Sequence, residues 1–235
     1  MTDSSFDHYA SNYEDALQHG LSVSGESSSY FADARLSCLR QLIEEQSIVT
    51  TKALDFGCGV GATTAFFLQH FDLLKLTGID PSSESIDQAK KNFALLDSDS
   101  SCEVTYLRSD DFTPESNYDL VYCNGVFHHI PLEERYRALG TIYECLRPGG
   151  VFAFWENNPY SLPARYVMSK IPFDHDAIMV WPSQVRELMT RIGFEVVSMD
   201  YHFIFPSLLR WMRWSEKLFC KLPLGAQYLV LSIKR

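Results

Sequence analysis

From Ala53 onward, short β-rich runs alternate with helical stretches. That alternation constrains the chain more than any other feature, because strands joined by helices build a parallel sheet covered on its faces. Strands are predicted at 53–56, 75–79, 103–107, 118–123 and 151–155, and helices at 62–71, 83–95 and 133–146, the last stopped by Pro148-Gly149-Gly150. A long connection, 156–182, is then broken by Pro159, Pro163, Pro172 and Pro182. Insertions of this length often act as lids. A helix at 183–192, a strand at 194–202, helical spacing over 207–222 and a strand at 227–233 bring the expected strands to seven. At 235 residues with 46% hydrophobic content, one α/β domain spanning 1–235 is expected. It carries an N-terminal helical arm, 1–50, and an insertion, 157–182, with the Ser-rich stretch 22–29 setting the arm apart.

Between the first strand and the first helix the chain reads Leu54-Asp55-Phe56-Gly57-Cys58-Gly59-Val60-Gly61-Ala62. Glycines so placed let backbone approach a nucleotide-like ligand where side chains would block it. Gly57, Gly59 and Ala62 also satisfy the dinucleotide spacing, so that reading stays open on spacing alone. Asp55 separates the two readings, since a carboxylate there repels a pyrophosphate and attracts a ligand ammonium. S-adenosylmethionine has the ammonium and lacks the diphosphate. Further on, Gly78-Ile79-Asp80-Pro81-Ser82 ends the second strand in an acid suited to two ribose hydroxyls.

With these motifs the sequence resembles the class I S-adenosylmethionine-dependent methyltransferases, in the small-molecule branch that includes the quinone-biosynthesis enzymes. The resemblance covers 53–155 and rests on LDFGCGVGATT (54–64), GIDPS (78–82), Ser109-Asp110-Asp111-Phe112, YDLVYCNGVFHHI (118–130) and LRPGG (146–150), in the family's order. The arm segment from Phe6 to Glu14 is similar to the family's FDxxAxxYD stretch. The family implies a Rossmann-like seven-stranded sheet of order 3-2-1-4-5-7-6, strand 7 antiparallel, with helices on both faces. It implies Asp55, Gly57, Cys58 and Gly59 at the methionine portion, Asp80 and Pro81 at the ribose, and Asp110, Asp111 and Phe112 at the adenine, Asp111 preferred to Asp110. Asn124, Gly125 and Val126 would line the sulfonium side, and Tyr13 and Arg35 are candidates for the methionine carboxylate.

Methyl transfer needs a base only where the acceptor keeps its proton. His128 and His129 follow the fourth strand, beside the expected methyl position, and a neutral imidazole there can take a hydroxyl proton near pH 7. His129 is preferred to His128; loop packing is the alternative for both. Glu156, Asn157 and Tyr160, leaving the fifth strand, either orient a polar acceptor or form a polar turn in which Glu156 pairs a helix end. Phe173-Asp174-His175-Asp176 offers three consecutive polar residues that cannot converge on a metal without help from elsewhere, so no metal is expected. Tyr166-x-x-x-Lys170 matches a dehydrogenase pattern by chance.

Thirty acids against twenty basic residues give a formal net charge of −10, which repels nucleic acid. The fourth strand also lacks the Pro-Pro-aromatic turn of base-amino methyltransferases. Six scattered cysteines without a CxxC, no apolar run of membrane-spanning length and no leader-like start point to a cytoplasmic protein with reduced thiols. The segment 203–224 carries Arg210, Arg213, Lys217 and Lys221 against the single acid Glu216. As an α-helix it sets those cations opposite Leu208, Trp211, Met212, Leu218, Phe219 and Leu222. Such a helix either covers the sheet or makes peripheral contact with an anionic membrane or an amphiphilic acceptor. The expected function is methyl transfer to a small molecule, at a hydroxyl oxygen before nitrogen or carbon. A non-catalytic S-adenosylmethionine or S-adenosylhomocysteine binder and an NAD(P)-dependent oxidoreductase are the competing readings.

Overall fold

Period-two burial along the central strands sends apolar side chains to both faces of the sheet and so dictates a layer on each side. In β4 (Tyr118–Asn124), Val121 and Cys123 join one core with Phe152 and Phe154 of β5 (Leu146–Asn157), while Leu120 and Tyr122 join the other with Ala153 and Trp155. This computed structural model describes residues 20–21, 24–96, 100–174 and 176–235. Its remaining strands are β1 (Lys52–Phe56), β2 (Lys75–Asp80), β3 (Glu103–Arg108), β6 (Phe194–His202) and β7 (Gln227–Lys234), in the order β3-β2-β1-β4-β5-β7-β6. β1 to β5 run parallel, and β7 is antiparallel to both β5 and β6. The expected topology is therefore present.

Among the described residues the α-helices include α1 (Ser28–Glu45), α2 (Thr64–His70), α3 (Ser83–Ala94), α4 (Leu132–Cys145), α5 (Leu162–Met168), α6 (Pro182–Ile192) and α7 (Glu216–Phe219). α1 starts where the Ser27 hydroxyl accepts the Tyr30 amide, and α3 where Ser82 accepts from Ser85. α1 and α2 cover one face through Leu36, Leu39, Ile43 and Phe67; α4 and α6 cover the other through Leu139, Ile142, Val185 and Met189. Pro148-Gly149-Gly150 does not stop α4. The helix has already ended at Cys145, because Leu146 is extended and pairs with Tyr118, and the Pro-Gly-Gly run lies in β5 where the register shifts.

The largest departure from the sequence reading is at Ser207–Ser215, a kinked 3-10 helix followed by the single turn of α7. With three residues per turn, positions i and i+3 eclipse and the α-helical division of faces does not form. Leu208, Trp211 and Trp214 lie in solvent, 86%, 69% and 79% exposed, while Ser215 is buried. Neither tryptophan packs on the sheet.

Candidate active site

Every parallel strand delivers its carboxyl end to one edge of the sheet, where open α/β folds bind ligands. A cavity of about 500 Å³ opens there. At its first end, the amides of Gly57 and Cys58 donate to the Ile79 carbonyl at 2.8 and 3.0 Å, pinning the glycine turn to β2. Asp80 Oδ2 accepts the Gly59 amide at 2.9 Å and Oδ1 accepts the Ser82 amide at 2.9 Å. Gly57 (φ 78°) must be glycine twice over, since a Cβ would also meet Val126 at 2.3 Å. A Cβ on Gly59 would meet nothing within 4 Å, so the backbone there faces open space.

Three observations test whether this end fits S-adenosylmethionine. Asn124 Oδ1 is buried in the wall without a hydrogen-bond partner, an acceptor available to a ligand donor. Arg35 is buried, donates to Tyr122 Oη at 3.1 Å and Gln227 Oε1 at 3.0 Å, and has no carboxylate partner among the described residues, which suits a ligand carboxylate. Asp55 lies behind the wall, hydrogen-bonded by Thr63 Oγ1 at 2.5 Å, and burial with the nearby Asp80 charge raises its pKa to about 7 against the Thr63 bond. A cationic ligand would favour its ionised form. The residues fit the cofactor.

At the other end, His128 and His129 sit in a short 3-10 turn after β4. Glu156, at the end of β5, is fully buried and accepts the Phe127 amide at 2.8 Å, the His128 amide at 3.3 Å and His128 Nδ1 at 2.7 Å. It faces the histidine turn and does not line the cavity. Asp174, from the insertion, puts Oδ1 3.4 Å from Nε2 of both histidines. Burial disfavours the His128 cation, yet the Glu156 and Asp174 charges overcome it and push His128 up to about 10. Burial pulls His129 below its ordinary value, Asp174 opposes this, and the adjacent His128 charge adds to the lowering. Near neutral pH one imidazole is therefore charged and its neighbour neutral.

Long-range bonds bring Asp174 to this place. The Ile178 amide donates to the His128 carbonyl at 2.8 Å, and Tyr228 Oη donates to the Val180 carbonyl at 2.8 Å. Buried Arg135 of α4 spans from the Ile130 carbonyl at 2.9 Å to the Ile178 carbonyl at 2.7 Å. The help that the 173–176 run lacks in sequence thus comes from His128 and His129. Their ligand atoms and that of Asp174 lie within 4.8 Å of one another, a group able to hold a metal ion among the described residues. The proton on His128 occupies the lone pair that such an ion would need.

Of the residues expected from sequence, Arg35, Gly57, Gly59, Asp80, Pro81, Asn124, Gly125, Val126, His128, His129 and Asn157 line the cavity. Cys58 and Asp55 are buried behind it. Asp110 is exposed and pairs with Arg108 at 3.0 Å, Asp111 is exposed, and Phe112 packs on Tyr118. These three begin two residues after Arg108, the register partner of Asp80, at the same sheet edge but outside the cavity wall. Tyr160 is half exposed and stacks edge-on against Trp181 rather than entering the cavity. Tyr13 lies outside the described residues. Arg135 and Gln227 carry no local mark in the sequence, and Asp174 stood out only as part of the 173–176 run, with no sign that it meets the double histidine.

A glycine turn pinned to β2, an acid at the end of that strand and a 3-2-1-4-5-7-6 sheet are together the features expected of a class I S-adenosylmethionine-dependent methyltransferase. Residues 54–152 match the family described as Methyltransferase domain. A trans-aconitate 2-methyltransferase of Enterobacter sp. (strain 638) is 27% identical over 136 residues, 57% of this chain and 48% of its own length. One of Azoarcus sp. (strain BH72) is 26% identical over 145 residues, 60% and 53% respectively. The chain thus spans about half the length of these curated relatives. A solved methyltransferase of Thermotoga maritima shares the fold over 100% of both chains, with TM-score 0.67 and 15% identity.

Proposed function

We propose that the protein transfers the methyl group of S-adenosylmethionine to a hydroxyl oxygen of a small acceptor with an apolar body. The observation that carries this reading is the position of His129 in the cavity wall with Nε2 3.4 Å from buried Asp174, where burial holds its pKa below the ordinary imidazole value. The bound cofactor supplies an activated methyl group on a good leaving group, so alignment and water exclusion are most of the protein's work. Arg35, the glycine turn and Asp80 seat the cofactor. His129 takes the acceptor proton as positive charge on His128 favours the oxyanion that forms. Glu156 and Asp174 hold His128 in that charged state. Asn157 contacts the acceptor, and Phe31, Val167, Met168, Ile171, Phe203 and Phe205 give it an apolar seat. Described residues of the arm and of the insertion, Tyr30 and Phe31 on one side and Val167 and Ile171 on the other, wall the site.

The relatives' names raise a carboxylate acceptor as a second reading, in which no base is needed. Against a tricarboxylate stands the apolar seat, whose Arg213 is already paired with Glu26 at 2.8 Å and stacked on Tyr30. The test is turnover with labelled cofactor against parallel panels of hydroxylated and carboxylated metabolites. Methyl ethers formed only while His129 is present support the proposal. Methyl esters formed at full rate by His129→Ala overturn it, and tight cofactor binding without turnover returns the protein to the non-catalytic binder.

A further inference from the structure

The segment 203–224 has two sides with different surroundings. Phe203, Ile204, Phe205, Pro206, Arg213 and Leu224 line the cavity, while Leu208, Trp211 and Trp214 form a ridge outside it. Leu218, 74% exposed, and the half-exposed Leu222 lie further along the same segment. So many large apolar side chains in one exposed stretch is unusual for a surface that stays in water. After the kink at Leu209 the 3-10 pitch sets residues three apart on the same side, which aligns Trp211 with Trp214.

The charges beside the ridge are sorted as well. Each nearby acid is committed: Glu26 to Arg213, Asp200 to Lys221 at 2.6 Å, and Glu216 to the Phe205 amide at 2.9 Å. Arg210 and Lys217 are exposed and form no ion pair among the described residues. A chain of net charge −10 thus shows, beside two exposed tryptophans, two exposed cations that form no ion pair with its described residues. Tryptophan and leucine flanked by lysine and arginine suit the headgroup boundary of an anionic bilayer. No helix among the described residues is long and apolar enough to cross a membrane.

We propose that the ridge of Leu208, Trp211, Trp214 and Leu218, with Arg210 and Lys217, is a peripheral docking surface for an anionic lipid bilayer. Docked this way, the bilayer meets the segment whose other side walls the cavity, and an amphiphilic acceptor has a short route from lipid to site. The docking itself does not require methyl transfer, so the two readings fail separately.

The test is co-sedimentation of the full chain with vesicles of phosphatidylcholine alone and with about one-third phosphatidylglycerol. The expected result is binding to the anionic vesicles only, weakened by salt, with a blue shift of tryptophan emission. Trp211→Ser/Trp214→Ser and Arg210→Glu/Lys217→Glu should each lower the affinity by at least about tenfold. Neither pair lines the cavity, so cofactor affinity should hold in both and report that the variants are folded. No binding at low salt, equal binding to neutral vesicles, or unaltered binding by the tryptophan variant overturns the proposal. So does self-association in solution that the tryptophan variant abolishes, which would make a second copy the ridge's occupant.

Discussion

The two ends of the cavity are built by different means. The cofactor end is made largely of backbone: amides of Gly57, Cys58 and Gly59, fixed to β2 and to Asp80, within a stretch of under thirty residues. The acceptor end is made of side chains from the 3-10 turn after β4, from β5, α4 and the insertion, namely His128, His129, Glu156, Arg135 and Asp174. A binding surface of backbone tolerates change in most side chains, whereas a cluster of buried charges depends on every member. Damage at the acceptor end should therefore show in turnover, and damage at the cofactor end in affinity.

The largest effect is expected from His129→Ala, which should lower turnover by roughly 10² to 10⁴ while calorimetric cofactor affinity stays within about twofold. Loss of affinity in step with turnover would erase the distinction between the two ends. Asp80→Ala should do the reverse. Removing a carboxylate that holds the glycine turn, and that sits where ribose hydroxyls are expected, should weaken cofactor binding by at least about tenfold.

Arg135 sharpens the comparison because it touches no reacting group. Arg135→Leu should reduce turnover about tenfold through misplacement of Asp174, with cofactor affinity unchanged, and Arg135→Lys should recover part of the loss. A melting temperature that falls without a change in the turnover of the folded fraction would make Arg135 structural only.

The pH response should also divide by end. Asp55, raised to about 7, is ionised above that value and protonated below it, so cofactor affinity should weaken as pH falls from 8 to 6. Asp55→Asn should flatten that dependence. Turnover at saturating cofactor should fall only at lower pH, because the base is active when deprotonated and the pKa of His129 is lowered. The smallest effect is expected from chelation: removing divalent metals should leave turnover unchanged, and added zinc should inhibit by displacing the His128 proton and capturing His129. Loss of activity on chelation would turn the triad into a resident metal centre.

The strand-helix alternation, the glycine turn and Asp80 could be read from sequence because each depends on neighbours within a few residues. The 3-2-1-4-5-7-6 order came with the family resemblance, and the sheet bears it out. Helix pitch after Pro206 was not legible, since α and 3-10 turns differ little in local preference and the kink at Leu209 decides which residues meet solvent. Sequence left Glu156 as either an acceptor contact or the partner of a helix end. Packing turns it inward to the Phe127 and His128 amides at the start of the 3-10 turn. Sequence alone, then, determined the class of sheet, the cofactor turn and the presence of two histidines after β4. Tertiary structure alone decided that these histidines differ in charge, because charge depends on which buried carboxylates arrive beside them, and Glu156 and Asp174 come from 28 and 46 positions away.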